Sequence, residues 1–149
     1  MLTLQSMETQ LANALAVDLN TCIDFNIFKR RGYQMTIGER NIDISIGPDR
    51  VIVDINQPLH LTKGDEVIEQ STFTESFSYP LGRLYDVGQD IVNAEATLGS
   101  FDQLSYILTH KGTYVIDKKK PYPDVLYILT TKDSPYIFQF FIEGEPTPL

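Results

Sequence analysis

The spacing of apolar residues predicts a helix at the beginning of the chain. Apolar side chains recur there every three or four positions, and polar side chains fill the positions between them. This pattern is typical of a helix that buries one face. The apolar stripe consists of Leu4, Met7, Leu11, Leu15, Leu19 and Cys22, with Cys22 acting as a small hydrophobic residue. Thr3 or Ser6 can cap the first turn, and the helix ends between residues 20 and 32.

An alternation of apolar and polar residues predicts a β-hairpin next. Its turn is Gly47-Pro48-Asp49-Arg50, a sequence with the residue types that turns favour. Pairing Ile46 with Val51 sets the register and places six apolar side chains of the hairpin on one face. These side chains are Ile42, Ile44, Ile46, Val51, Val53 and Ile55.

The remaining pattern predicts two more strands, two helices and a final group of three strands. A third strand is expected through Leu59 and Leu61, followed by a polar strand from residue 67 to 79. Pro80 suits the first position of a helix that ends at Gly99, and Ser100 begins a capping box for a shorter helix. The last two strands are almost wholly apolar, so we expect both to lie centrally in a sheet.

This order of elements predicts an α+β fold. An N-terminal helix and two short central helices are expected to pack on a mainly antiparallel β-sheet, because strands and helices do not alternate regularly. We expect one domain over residues 1–149, a length typical of single domains. Its parts are an N-terminal helix region over 1–30, a β-rich part over 33–79, a helical part over 80–111 and a β-meander over 113–143.

Charge and composition narrow the function classes. A net charge of -8 and a pI near 4.6 argue against nucleic-acid binding and against attraction to anionic membranes. The sequence contains no apolar run long enough to cross a bilayer and no signal-peptide pattern. It also contains no recognised catalytic, nucleotide-binding or metal-binding motif. We therefore expect no cofactor and no metal, and we lean against an enzyme.

Two aspartates on the polar face of the hairpin form one candidate site. The predicted register sets Asp43 directly opposite Asp54. Like charges in this relation repel unless a cation or a proton lies between them. A calcium-like ion is one interpretation, although two carboxylates are few for such a site. The alternative is that the strands splay or that Arg40, Arg50 or solvent relaxes the repulsion.

Aromatic residues suggest two further candidates. Tyr79, Tyr122 and Tyr136 lie beside prolines and could form a recognition surface, since tyrosine combines apolar area with a polar tip. A pocket between the sheet and the helical part is the second candidate. Its predicted lining residues are Phe73, Phe77 and Tyr85.

Histidines and basic clusters are weaker candidates. His60 should face solvent from its strand, and His110 suits a helix C-terminus. The run Lys29-Arg30-Arg31 and the run Lys118-Lys119-Lys120 could each hold an anion. In an acidic chain, the first run more simply ends a helix and the second solvates a loop.

Several short segments resemble a known family. They are Leu19-Asn20-Thr21-Cys22-Ile23-Asp24-Phe25 after the first helix, Gly32-Tyr33 before the hairpin, Pro58-Leu59 before Lys63-Gly64, and Asn93-Ala94-Glu95. Together they resemble the soluble part of small membrane-anchored archaeal proteins of unknown function. The resemblance implies an anchor upstream of the first helix and a domain held outside the cell. Without an anchor, a cytoplasmic location is expected.

Three hypotheses for function follow. The first is a non-catalytic interaction or structural domain, pilin-like in laying its first helix on an antiparallel sheet, with a protein partner or self-association. The second is a sensory domain that encloses a small molecule in a closed cavity. The third is an enzyme without a recognised motif that uses Asp43, Asp54 or His60.

Overall fold

A computed structural model of the chain confirms the α+β fold and describes residues 3–144. Residues 1–2 and 145–149 of the predicted domain lie outside this range. Within it, helices and antiparallel sheets follow the predicted order. The elements are α1 Leu4–Cys22, α2 Asn26–Arg30, β1 Gln34–Ile37, β2 Asn41–Ile46, β3 Val51–Lys63, β4 Glu66–Phe77, α3 Leu81–Leu98, α4 Gln103–Thr109, β5 Tyr114–Lys119, β6 Val125–Thr131 and β7 Phe138–Ile142.

The chain divides into two compact units. The N-terminal unit contains residues 3–46 and 51–77, and therefore α1, α2 and the strands β1 to β4. The C-terminal unit contains the turn 47–50 and the chain from residue 78 onward, and therefore α3, α4 and the strands β5 to β7.

The long strand β3 organises the sheet of the N-terminal unit. One of its edges pairs with β2 and then with β1, and its other edge pairs with β4, all antiparallel. The predicted hairpin register is confirmed, since Ile46 lies opposite Val51 and Ile44 lies opposite Val53. A one-residue slip would turn this apolar set to the other face, which is why the alternation specifies the register so strongly.

The separate strand expected at Leu59 and Leu61 is wrong, because these residues continue β3. The pairing of β3 with β4 shifts register between Asn56 and Leu59, which lets the chain pass Pro58 without ending the strand. The Pro58 carbonyl accepts a hydrogen bond from Gly38 N at 2.7 Å. Strand β1, which the sequence pattern did not predict, pairs with this second half of β3.

Helix α1 begins as predicted and packs on β2. Thr3 caps it, with its side-chain oxygen accepting a hydrogen bond from Ser6 N at 3.1 Å. The Glu8 carboxylate accepts a hydrogen bond from Ile46 N at 2.8 Å and so ties the helix to the strand. The expectation that Cys22 packs within the apolar stripe is wrong: it is the exposed last residue of α1. No helix of residues 3–144 has the length and apolarity needed to span a bilayer.

The basic run at residues 29–31 ends a second, separate helix. Lys29 and Arg30 lie in the last turn of α2, where cations oppose the negative end of the helix dipole. Gly32 follows with a φ of 86°, a conformation that glycine adopts without strain. The helix C-terminus predicted before this glycine is thus confirmed, but it belongs to α2 and not to α1.

The core of the C-terminal unit lies between α3 and the sheet β5-β6-β7. Its fully packed side chains are Leu84, Val87, Ile91, Ile116, Tyr127 and Leu129. Helix α3 ends at Gly99 with a φ of 71°, as predicted. The apolar side of α3 and the apolar side chains of β5 and β6 therefore pack together in one layer.

Two expectations for this unit are corrected. Helix α4 is capped by Asp102 and not by Ser100, because Asp102 Oδ1 accepts a hydrogen bond from Ser105 N at 3.1 Å. The apolar strand β7 is not central: in the described sheet order β5-β6-β7, β6 has a neighbour on each side and β7 lies at the edge. Apolar residues on both faces of β7 thus leave Phe141 exposed.

Backbone carbonyls of the turn 47–50 complete the first turn of α3. Its N-cap residue is Pro80, whose side chain cannot accept a hydrogen bond. Instead, Gly82 N donates to the Gly47 carbonyl and Arg83 N donates to the Pro48 carbonyl, each at 3.3 Å. An added Cβ at Gly82 would lie 2.5 Å from the Gly47 oxygen. The close approach requires glycine at this position.

We predict that Gly82→Ala destabilises the chain. Alanine is favoured over glycine in a helix by about 1 kcal/mol, so an unhindered site would gain stability. The contact with the Gly47 carbonyl should reverse that sign and lower the free energy of unfolding by about 1–3 kcal/mol. Thermal unfolding followed by circular dichroism measures the change, and a raised melting temperature would contradict it.

Candidate interaction surface

An open apolar groove lies between α1 and the sheet of the N-terminal unit. We call it the α1–β4 groove, and its volume is about 420 Å³. Helix α1, the adjoining strand residues of β2 and β3, and the end of β4 form its walls and floor. The lining residues are Leu11, Ala14, Leu15, Asp18, Ile44, Val51, Val53, Ile55, Glu75 and Phe77.

The groove exists because α1 covers only part of the apolar sheet face. The helix packs on β2, at one side of β3. Val51 and Val53 are buried, whereas Leu11 on the helix is 40 % exposed and Phe77 on β4 is 53 % exposed. The apolar side chains over β3 and β4 are therefore left open to solvent along the groove.

Carboxylates are the charged groups of this groove. Asp18 projects from α1 and Glu75 from β4, and both line it. Helix α1 contains Glu8 and Asp18 but no lysine or arginine, and β4 contains Glu66, Glu69 and Glu75 with no basic residue. The apolar surface thus carries a negative border, which favours a partner with cationic side chains.

Strand β4 adds an open edge beside the groove. All of its residues are exposed, and it pairs with β3 along one edge only among the residues described. Open strand edges pair readily with further strands unless charges discourage it. The three glutamates of β4 act in that way against a second copy of the same strand.

The structure places Asp43 opposite Asp54, as the register predicted. Asp43 Oδ2 accepts a hydrogen bond from Asn41 Nδ2 at 2.9 Å, and Asp54 Oδ1 accepts one from Thr74 Oγ1 at 2.5 Å. Within residues 3–144, no group of three or more His, Cys, Asp or Glu side chains could hold a metal ion. Cation binding by this pair stays a prediction.

Two of the three predicted surface tyrosines lie together. The rings of Tyr79 and Tyr136 are 4.5 Å apart between centroids and nearly perpendicular. The Tyr79 hydroxyl donates to the Ile137 carbonyl at 3.4 Å, and burial raises the pKa of Tyr79. Tyr122 is exposed in the loop between β5 and β6. Recognition through this surface stays a prediction.

The three residues predicted to line a pocket belong to different units. Phe73 and Phe77 lie on β4 in the N-terminal unit, where Phe77 lines the α1–β4 groove. Tyr85 lies on α3 in the C-terminal unit, is buried, and accepts a hydrogen bond from Gln89 Nε2 at 2.6 Å. A closed pocket formed by all three stays a prediction.

His60 faces solvent, as expected, and has an acidic partner. Its Nδ1 lies 2.9 Å from Glu69 Oε1 across the β3–β4 ladder. Both side chains line a shallow depression of about 360 Å³ beside Pro58, at the register shift. About half of the His60 side chain is exposed, so water reaches this pair. His110 caps α4, as predicted, and stacks on Tyr106.

A polar network in the C-terminal unit was missed by the sequence pattern. Lys118 Nζ lies 2.6 Å from Glu95 Oε1 and 5.1 Å from the centre of the Tyr127 ring. The Tyr127 hydroxyl donates to the same Glu95 oxygen, and Tyr127 is fully buried. The available signal was Glu95 itself, a carboxylate that continues the three- and four-residue spacing of the apolar residues Leu84, Val87, Ile91 and Leu98. Lys118 was expected in a loop but lies in β5.

Hydrogen bonds and opposite charges within the network offset the cost of burying its polar groups. Burial alone raises the pKa of Glu95, but hydrogen bonds from Lys118 and Tyr127 outweigh it and hold the pKa below its ordinary value. Burial and the Glu95 hydrogen bond raise the pKa of Tyr127 to about 12. Burial lowers the pKa of Lys118, and the bond to Glu95 more than reverses that effect. Near neutral pH, Glu95 therefore stays negative, Lys118 stays positive and Tyr127 stays neutral, and the network stabilises the packing of α3.

We predict a pH-dependent stability loss in Glu95→Gln. A carboxylate with a lowered folded pKa stabilises above its ordinary pKa of 4.5, and this contribution disappears as the pH falls through the folded pKa. The variant should lose about 2 kcal/mol at pH 7, since charged hydrogen bonds are lost. The difference in the free energy of unfolding between the variant and the parent should shrink toward pH 3. Urea unfolding at several pH values measures it.

The matched control for this substitution is Asp86→Asn on the exposed side of α3. A surface change of this kind should alter stability by less than about 0.5 kcal/mol at either pH. A loss for Glu95→Gln that is the same at pH 7 and pH 3 would show that its charge does not matter.

Comparison with known proteins assigns no family to the chain. No protein-family model matches it, and neither does any curated protein or solved structure. The resemblance to archaeal membrane-anchored proteins therefore stays a prediction from the segments that carry it. The function has to be inferred from the surfaces and side chains of the chain itself.

Proposed function

We propose that this chain is a non-catalytic protein-interaction domain whose binding surface is the α1–β4 groove. The observation that carries the proposal is the incomplete cover of the sheet by α1, which leaves Leu11 and Phe77 exposed above buried valines. Exposed apolar grooves bordered by charge are typical of protein interaction sites. A partner that fills the groove would complete the apolar layer of the sheet.

The open shape of the groove favours a protein partner over an enclosed small molecule. Small ligands bind in cavities that bury most of their surface. Here the wall residues Leu11 and Phe77 are themselves about half exposed, so a small ligand would stay largely in water. A sensory domain is therefore the weaker proposal.

The polar groups of the N-terminal unit also favour interaction over catalysis. Asp43, Asp54 and His60 each bond to a side chain of their own or the adjacent strand. Acid–base catalysis works best where groups are shielded from water and their pKa values are tuned. The His60–Glu69 pair is open to solvent instead.

We also propose that the domain acts outside a membrane, in a pilin-like arrangement. Two observations support this proposal: the resemblance of the first 70 residues to anchored archaeal proteins, and the long helix α1 laid along an antiparallel sheet. Protease treatment of whole cells that express the full gene product tests it. Degradation of the domain in intact cells is expected, and protection until lysis would contradict an external location.

We predict that Phe77→Ser removes much of the exposed apolar surface of the α1–β4 groove without unfolding the chain. Binding of an apolar fluorescent dye should fall, because Phe77 borders the groove. The melting temperature should change little, because the side chain is already half exposed. The matched control is Phe141→Ser on β7, where Phe141 is 58 % exposed and lies outside the groove. Equal dye loss in both variants would count against the groove.

Site-specific crosslinking tests the same surface in the cells that produce the protein. A photoreactive residue at position 77 should form a discrete crosslinked product, and the same residue at position 141 should not. The product should disappear when Leu11→Asp places a charge in the groove. Absence of a product at position 77, or products of equal yield at both positions, would overturn the proposed function.

A further inference from the structure

We infer that the occupant of the α1–β4 groove is the basic segment 23–31 of a second copy of the chain. This inference rests on the proposed function and names its partner. Segment 23–31 contains α2 and the exposed apolar side chains Ile23 and Ile27, followed by Lys29, Arg30 and Arg31. The groove and the segment both belong to the N-terminal unit, so each copy offers one of each.

Charge complementarity is the first argument. The groove is lined by Asp18 and Glu75, and the helix and strand on either side of it contain no basic residue. Segment 23–31 places three consecutive cations after an apolar residue. Arg30 pairs with Asp24 at 3.4 Å, but more than two-thirds of its side chain remains exposed. The cations are thus accessible to carboxylates of another molecule.

The dimensions of the groove also suit a short helix. The lining residues of α1 run from 11 to 18 and span about 10 Å, since an α-helix rises about 1.5 Å per residue. Residues 51–55 of β3 run about 13 Å along the floor, at about 3.3 Å per residue. About two turns of helix fill that length. Helix α2 has five residues and spans about 7.5 Å, so it fits within the groove, and it carries Ile27, which is 41 % exposed.

The same copy does not supply the occupant. In its own chain, α2 packs beside β1 and not in the groove. The Phe28 ring meets the Tyr33 ring edge-on at 6.4 Å, which holds the segment in place. The groove and the exposed side of segment 23–31 are therefore separate surfaces of the same unit.

Three other surfaces of a second copy fit less well. Helix α1 and strand β4 are acidic, so they would bring like charges to Asp18 and Glu75. Helix α4 exposes Leu104 and Leu108, but none of its residues is basic. Like charges across an interface weaken association. The basic segment 23–31 combines an exposed apolar residue with three neighbouring cations.

The contact is between two different surfaces, so it extends from copy to copy. Contacts of this kind form rings if they close and open chains if they do not. The contact area is small, so we expect a dissociation constant in the range of tens of micromolar. Salt should weaken it, because the ion pairs lie at the border of the groove.

Charge reversal tests the inference with the whole chain. The groove variant carries Asp18→Lys and Glu75→Lys, and the segment variant carries Arg30→Glu and Arg31→Glu. All four side chains are exposed, so both variants should fold, which circular dichroism checks. By sedimentation equilibrium, the parent chain should self-associate, and each variant alone should associate about tenfold more weakly.

Mixing the two variants separates a specific contact from general charge effects. The segment variant keeps an acidic groove and the groove variant keeps a basic segment, so an equimolar mixture should associate as the parent does. The chain with all four substitutions should self-associate again, with a dissociation constant within about threefold of the parent's. The matched control, Leu104→Ser with Leu108→Ser, should leave association unchanged.

Several outcomes would overturn the inference. They are a parent chain that stays monomeric up to about 500 µM, a groove variant that associates like the parent, variants that fail to complement each other, and a control that abolishes association. A monomeric parent with a crosslink from position 77 to another protein would refute the second copy but leave the proposed function intact. A monomeric parent that also gives no crosslink from position 77 would refute both the second-copy inference and the proposed function.

Discussion

The hairpin of β2 and β3 sets the constraint on which the N-terminal unit depends. Branched aliphatic side chains alternate on both strands, and their register brings them to one face. Such a face must be covered, and α1 covers the part over β2. The Glu8 carboxylate fixes the helix there by accepting the Ile46 amide hydrogen bond. The cover stops short of β4, so the same constraint that orders the unit also leaves its apolar groove.

Features of the fold that depend on neighbouring residues could be predicted from the sequence. The hairpin register, the Thr3 cap and the helix end at Gly99 each need only a few adjacent positions. Features that depend on distant pairing could not. The continuation of β3 past Pro58 requires β1 and β4 as partners, and the edge position of β7 depends on which strands flank β6.

Among the candidate sites too, those that depend on neighbouring residues could be predicted and those that depend on distant residues could not. The opposition of Asp43 and Asp54 came from the register alone and is present. The network of Glu95, Lys118 and Tyr127 joins residues 23 and 32 positions apart, and no local pattern links them. The groove was missed for a related reason: the pattern indicates which residues are apolar, but not which of them a helix leaves uncovered.

The open edge of strand β4 has a consequence for the exchange of its amide hydrogens with solvent. In an antiparallel edge strand, every second amide points away from its neighbour and meets water. Among the residues described, β4 pairs with β3 along one edge and its other edge is open. The outward amides of β4 therefore exchange with solvent without any separation of β4 from β3. Amide hydrogens along β4 would exchange with deuterium in an alternating pattern, fast for those that point outward and slow for those that bond to β3.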